Sequence, residues 1–310
     1  MNLPENVSNL PKAAFSFTKE GFNYFVAYRQ APLSIQDHLK TGPAMLLSLW
    51  AYSQVSTRNM ATLHSEGVLY PASVFYKTVV DQDDILDTIR VNEGFIPAKQ
   101  AFWYRSDVYP SFRSRERFAT AVSLIDSNPQ LNPSSKTYMK RRVAAAYRSY
   151  TQAEDSLAAL ATTECSLDEI VNLRMQSYGA LAKALTAVLN GNSCETQEGQ
   201  NTENMMANFI MAAEIMDGEI DKEEDRPYTL SISLRGEMRD LEMHQRVGTT
   251  SAQLLNHYLD EMRSPQIKSL LIFLNSIYPK TSGCFNLLNR YIGNRFFTRL
   301  SLRKDSDTID

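Results

Sequence analysis

Tyr70-Pro71-Ala72-Ser73-Val74-Phe75-Tyr76-Lys77-Thr78-Val79-Val80-Asp81-Gln82-Asp83-Asp84-Ile85-Leu86-Asp87 reads as a helix that changes character along its length. Tyr70, Val74, Phe75, Val79 and Val80 supply an apolar face, recurring at the helical period. The end is acidic. At about 100° per residue, Asp83 and Asp87 stand almost above one another, with Asp84 beside them. Asp81 falls on roughly the opposite face from Asp83 and reads as a solvated bystander. Stacked like charges cost a few tenths of a kcal/mol per i,i+4 pair, and no Lys or Arg is interleaved among these acids. A bound cation would offset the repulsion; an ordinary acidic surface is the alternative for this motif alone.

The same period runs through the rest of the chain, which reads as all-α. Helices are expected at about 34–55, 70–90, 111–127, 135–162, 167–190, 203–224, 250–263, 266–278 and 282–301, leaving little for a sheet. Asn128-Pro129, Asn132-Pro133 and Ser264-Pro265 supply breaks, because the residue before a proline is pushed out of the helical region. The polar stretch 191–202, with Gly191 and Gly199, reads as a loop. It is not a domain boundary, since the acidic motifs on either side of it must converge. The expectation is a single helical bundle spanning residues 1–310 around a central cavity.

Composition narrows the function classes. The chain has 310 residues, 43% hydrophobic and 22% charged, with a net charge of -3. No basic excess exists to neutralise nucleic-acid phosphates. Cys165, Cys194 and Cys284 form no Cys-x-x-Cys pair, so neither a zinc ribbon nor a disulfide framework is signalled. The start, Met-Asn-Leu-Pro-Glu-Asn, lacks a signal peptide's basic and apolar regions. No apolar run approaches the ~20 residues that span a bilayer. A cytoplasmic location is expected.

A second acidic stripe follows an apolar approach through Met206, Phe209, Ile210, Ala213 and Ile215. Asp217, Asp221 and Asp225 recur at i, i+4 and i+8. Glu224 lies near the same face, whereas Glu219 and Glu223 point away. An acidic helix end with Lys222 and Arg226 as local partners is the plain alternative. Magnesium takes octahedral oxygen ligands, usually one or two carboxylates with water and substrate phosphates. Two facing carboxylate rows could hold several such ions around a diphosphate.

This pair of motifs resembles the class I isoprenoid (terpene) synthases, an all-helical family with Asp-Asp-x-x-Asp on one helix and a triad spaced at four and four on another. The likeness is nearest to the tetraprenyl-β-curcumene synthase type. His64-Ser65-Glu66-Gly67 matches its His-x-Glu-Gly element, and Ile220-Asp221-Lys222-Glu223-Glu224-Asp225 its second aspartate element. The first motif is denser than that type's, and Asp225 is shorter than the usual terminal Glu, leaving Glu224 as the other candidate ligand. The likeness spans about residues 60–230.

The resemblance implies that Asp83, Asp84, Asp87, Asp217, Asp221 and Asp225 bind Mg2+ around a prenyl diphosphate. It assigns Arg174 to sensing the diphosphate, with Arg226 and the Arg290-Tyr291 pair binding it as well. Ionisation would then give an allylic carbocation walled by aromatic residues, among them Trp50, Tyr52, Phe75, Tyr76, Phe102, Trp103, Tyr104, Tyr178 and Phe209. A core role is the default for each ring. Gly179 would either open a backbone carbonyl toward a cation or serve close helix packing, and Glu66 could orient His64. A lipophilic substrate or product would bring peripheral membrane contact. Head-to-head condensing synthases of the squalene and phytoene type use Asp-x-x-x-Asp, which Asp217 and Asp221 satisfy. A non-catalytic helical binding protein on the same scaffold is the third reading. Chain length of the substrate, product skeleton and oligomeric state are not encoded in these motifs.

Overall fold

The computed structural model describes residues 35–93, 114–160 and 167–220, together with Lys19, and every described residue that is ordered into an element is helical. The helices are α1 (Ile35–Val55), α2 (Met60–Ser65), α3 (Leu69–Glu93), α4 (Ser114–Ser127), α5 (Pro133–Leu160), α6 (Leu167–Arg174), α7 (Ala180–Leu189) and α8 (Gln197–Ile220). A π-helical turn, Met175–Gly179, joins α6 to α7, and a 3-10 turn, Gly191–Ser193, follows α7. The all-α expectation holds for these residues, which all lie in the compact unit Met1–Ser269. Expected helices beyond residue 220 lie outside the described residues.

Local chemistry sets the helix ends. The Asn59 side chain accepts from Thr62 N at 3.0 Å and caps α2. At its other end, Gly67 takes φ +66. Gly67 N donates to His64 O at 3.0 Å and Val68 N to Leu63 O at 3.2 Å. That bond pair is a Schellman stop, completed by the buried side chains of Leu63 and Val68. The His-x-Glu-Gly element is thus a helix terminator. Asn132 accepts from Ser135 N at 2.8 Å, with Pro133 as the first residue of α5, where its missing N–H costs nothing.

The expected loop at 191–202 is shorter than read. The 3-10 turn and an early start of α8 at Gln197 take most of it, because Thr196 supplies a cap, its Oγ1 accepting from Gly199 N at 3.1 Å.

Trp50, Tyr52, Phe75, Tyr150 and Phe209 are the largest wholly buried side chains, each contributing about 1.5–3 kcal/mol through burial. They come from α1, α3, α5 and α8. α7 packs against α3, α5 and α8, while α1 packs against α3 and α8.

One end of this assembly is tied by a buried polar anchor. Tyr52 OH donates to Asn190 Oδ1 at 2.9 Å, and Asn190 Nδ2 donates to Gly199 O at 3.0 Å. Arg58 bonds both Asn190 O and the Glu66 carboxylate. Asn128 Nδ2 donates to Glu66 O at 2.9 Å, and Asn132 N to Asn192 Oδ1 at 2.9 Å. Burial pushes the Tyr52 phenol up, so it stays protonated as the donor here. The ends of α1, α2, α4 and α7 and the starts of α3, α5 and α8 all meet at this anchor.

Candidate functional site

Helix direction follows from the anchor. α3, α5 and α8 leave it, whereas α4 and α7 arrive at it. Side-chain bonds further along agree: Tyr147 OH of α5 donates to Gln82 Oε1 of α3 at 2.7 Å. Tyr147 is 147 − 133 = 14 residues into α5 and Gln82 is 82 − 69 = 13 into α3. Arg117, near the start of α4, reaches back to Asp81 at 2.5 Å.

The first acidic motif and Asp217, the first acid of the second, therefore lie away from the anchor, and in the same sense. Asp83 is 83 − 69 = 14 residues into α3, and Asp87 is 18 in; at ~1.5 Å per residue these are about 21 and 27 Å along. Asp217 is 217 − 197 = 20 residues into α8, about 30 Å along. Arg174 precedes Asn190 by 190 − 174 = 16 residues, about 24 Å up the α6–α7 column. The aspartates of α3, the arginine and Asp217 thus share a span of about 9 Å along the bundle. α3 and α8 both pack on α1 and α7.

Helix register can be followed up to Asp217 on α8 and through the first motif on α3. On α8, Gly199 and Met206 are buried and Ile210 is largely so. Asp217 stands 18 residues, five turns, after Gly199 and 11, about three turns, after Met206. Its backbone position keeps that register. On α3, Val74, Thr78, Asp81, Gln82 and Leu86 make one buried stripe, and Lys77 and Ser73, about two and three turns before Asp84, are buried as well. In backbone register Asp83 and Asp87 follow Tyr76, Val79 and Val80, which are half-buried.

The side chains of Asp83, Asp84, Asp87 and Asp217 are outside what the structure describes, as are residues Asp221, Glu224, Asp225, Arg226, Arg290 and Tyr291 altogether. Among the described residues no group of three or more His, Cys, Asp or Glu is gathered to hold a metal. Arg174 is exposed at the end of α6, directly before the π turn. Such turns put an extra residue into a helix and are frequent at functional sites. Here Ser149 Oγ donates to Gln176 O at 2.7 Å and Ser177 Oγ to Glu154 Oε1 at 2.9 Å. The Met175 side chain, from the start of the same turn, lies over the space a Cβ on Gly179 would need.

Two side-chain expectations are corrected, and the default reading of four rings holds. Asp81 is 1% exposed, held by Lys77 one turn earlier and by Arg117; it is a buried ion-pair centre, not a solvated bystander. Glu66 pairs with Arg58, while His64 Nδ1 shares a 3.2 Å hydrogen bond with Tyr70 OH, so Glu66 does not orient His64. Trp50, Tyr52, Phe75 and Phe209 are wholly buried and belong to the core.

Sequence reasoning missed the aromatic column that Tyr147 and Tyr150 of α5 build with Phe118 and Tyr178. Phe118–Tyr147, Tyr147–Tyr150 and Tyr150–Tyr178 have centroid separations of 5.4, 6.2 and 6.1 Å, edge-on or tilted as ring quadrupoles prefer. Tyr147 and Tyr150, three apart within α5, were the available signal. Near the anchor, a surface cavity of about 340 Å³ is lined by Pro133, Ser134, Thr137, Tyr138, Arg141 and Glu195. Beside it, buried Glu203 is bonded by Arg142 and by Tyr138 OH at 3.2 Å.

No protein-family model, curated protein or solved structure matches the chain. Among the described residues, no helix is long and apolar enough to cross a membrane.

Proposed function

We propose that the chain is a magnesium-dependent class I terpene synthase, releasing diphosphate from an allylic prenyl diphosphate to form a carbocation. The observation that carries this reading is the common origin and direction of α3 and α8. Two helices that start from one anchor bring Asp83, Asp84, Asp87 and Asp217 to neighbouring levels, with Arg174 between them in height. Asp221 and Asp225, four and eight residues on from Asp217, extend the second row in this reading.

The donor set suits a hard divalent cation, since carboxylates at i, i+1 and i+4 on α3 and a carboxylate in the inward register of α8 supply only oxygens. When bound, magnesium supplies charge neutralisation for the departing diphosphate. Asp83, Asp84 and Asp87 would hold it on one side, and Asp217, Asp221 and Asp225 on the other. Arg174 donates hydrogen bonds to the diphosphate as negative charge grows there, with Arg226, Arg290 and Tyr291 assigned to the same group. Tyr76, Val79 and Val80 line the approach and exclude water, which would otherwise capture the cation. The half-buried rings of Tyr76 and Tyr178 offer π faces to it. The protein works in the cytoplasm on a lipophilic substrate.

The Asp217-x-x-x-Asp221 spacing supports a second reading, head-to-head condensation of two prenyl diphosphates. Incubating the protein with farnesyl, geranylgeranyl and longer prenyl diphosphates, with and without magnesium, tests both. Magnesium-dependent diphosphate release is expected, and cyclic against condensed hydrocarbon products separates the readings. No release from any member of the series ends both.

A further inference from the structure

The residues immediately before the first acidic motif are polar and wholly buried, which a helix does not need for packing. Asp81 and Gln82 are at most 1% exposed. Asp81 is held by Lys77 from the turn below and by Arg117 of α4 at 2.5 Å. Gln82 is held by Tyr147 OH of α5 at 2.7 Å. Burial pushes the Tyr147 phenol up, so this hydroxyl keeps its proton and donates. One turn later Leu86, also buried, closes the same stripe on the far side of Asp83 and Asp84.

Apolar contacts alone let a helix roll by a few degrees at little cost, because they are non-directional. Buried hydrogen bonds are directional and costly to leave unmade. Two of them, drawn to adjacent positions of α3 by different neighbouring helices, fix both its rotation and its axial level where the acids begin.

We propose that Tyr147 and Gln82 are positioning residues for the carboxylates of Asp83, Asp84 and Asp87, through the bond that joins them. The proposal rests on the metal-binding reading of those acids. Neither residue touches the metal. Each sets the angle at which α3 presents its ligands, so removing one bond should weaken cation binding without abolishing it.

The test uses the full chain and three variants. Tyr147→Phe keeps the ring and its contacts with Phe118 and Tyr150 but deletes the donor. Gln82→Met deletes the acceptor at similar volume. Tyr138→Phe removes a comparable bond to Glu203 at the anchor end and reports a purely structural loss. Manganese, and then magnesium, is titrated in the presence of inorganic pyrophosphate, by electron paramagnetic resonance and calorimetry respectively, with thermal unfolding alongside.

Tyr147→Phe and Gln82→Met should each raise the half-saturating cation concentration by about three- to tenfold, less than the ~10- to 100-fold typical when a ligand loses its own partner. The double variant should shift it no further than either single change. Tyr138→Phe should lower thermal stability and leave cation binding unaltered. Unchanged cation affinity in Tyr147→Phe and Gln82→Met, with binding intact in the parent, overturns the positioning role alone. A parent chain that binds neither cation overturns the metal-site reading and this proposal together.

Discussion

Replacing Gly191 with alanine tests the anchor from which both acidic helices set out. Gly191 sits at φ +55, where a Cβ costs roughly 1–2 kcal/mol. The new methyl would also stand 2.5 Å from Glu66 Oε2 and 2.9 Å from Arg58 Nη1. The Arg58–Glu66 pair, with the Arg58 bond to Asn190 O, must then move. A hydrogen bond to a charged group contributes about 1.5–3 kcal/mol, and Glu66 is one-third exposed, so the lower end applies. The sum is about 3 kcal/mol, or ~6–9 °C in melting temperature at 2–3 °C per kcal/mol. Circular dichroism at 222 nm during heating, with urea unfolding alongside, reads both quantities. Asparagine tolerates this backbone region but carries the same Cβ, so Gly191→Asn should recover only the smaller part. A Gly191→Ala protein within about 1 kcal/mol of the parent would refute the crowding at this anchor, as would full recovery in Gly191→Asn.

Asp84→Ala or Asp221→Ala should abolish diphosphate release while the helical signal stays intact; unaltered turnover in both removes these residues from the site. Burial pushes the Cys194 thiol up to about 11, and the residue is fully buried, so alkylation at pH 8 followed by peptide mapping should spare it until urea is added. Glu203 is raised by burial in spite of Arg142. Stability from a raised group is complete below its unfolded pKa and is lost as pH climbs through the folded one. Glu203→Gln should therefore flatten the decline of melting temperature from pH 4.5 upward, and an unchanged profile would remove Glu203 from the pH response.

The helices were legible because apolar residues recur at three and four: the expected 34–55 and 70–90 compare with Ile35–Val55 and Leu69–Glu93. The short α2 was not, since its six residues give less than two turns of pattern. Partners distant in sequence were illegible too. Lys77, four residues before Asp81, was legible as its partner, but Arg117, 36 residues on, is invisible to a helical wheel, and Glu66 looked free for His64 because Arg58 pairs with it only after α2 terminates. Of the candidate site, the acids and their spacing came from the sequence, as did Arg174. Their shared level along the bundle did not, because it depends on which helix ends meet at Asn190 and Gly191. Tyr147 and Gln82, 65 apart, carried no local sign of being joined.

A common starting point for α3 and α8 also restricts how the protein can change over evolutionary time. One residue inserted between Leu69 and Asp83 would swing the acids by ~100° and lift them by ~1.5 Å, undoing their match with α8. On the proposed metal-binding reading, insertions or deletions within these two helices would have to come in near-whole turns, such as about seven or eleven residues, and be mirrored in the partner. Length variation among descendants should instead accumulate in segments that do not measure distance from the anchor.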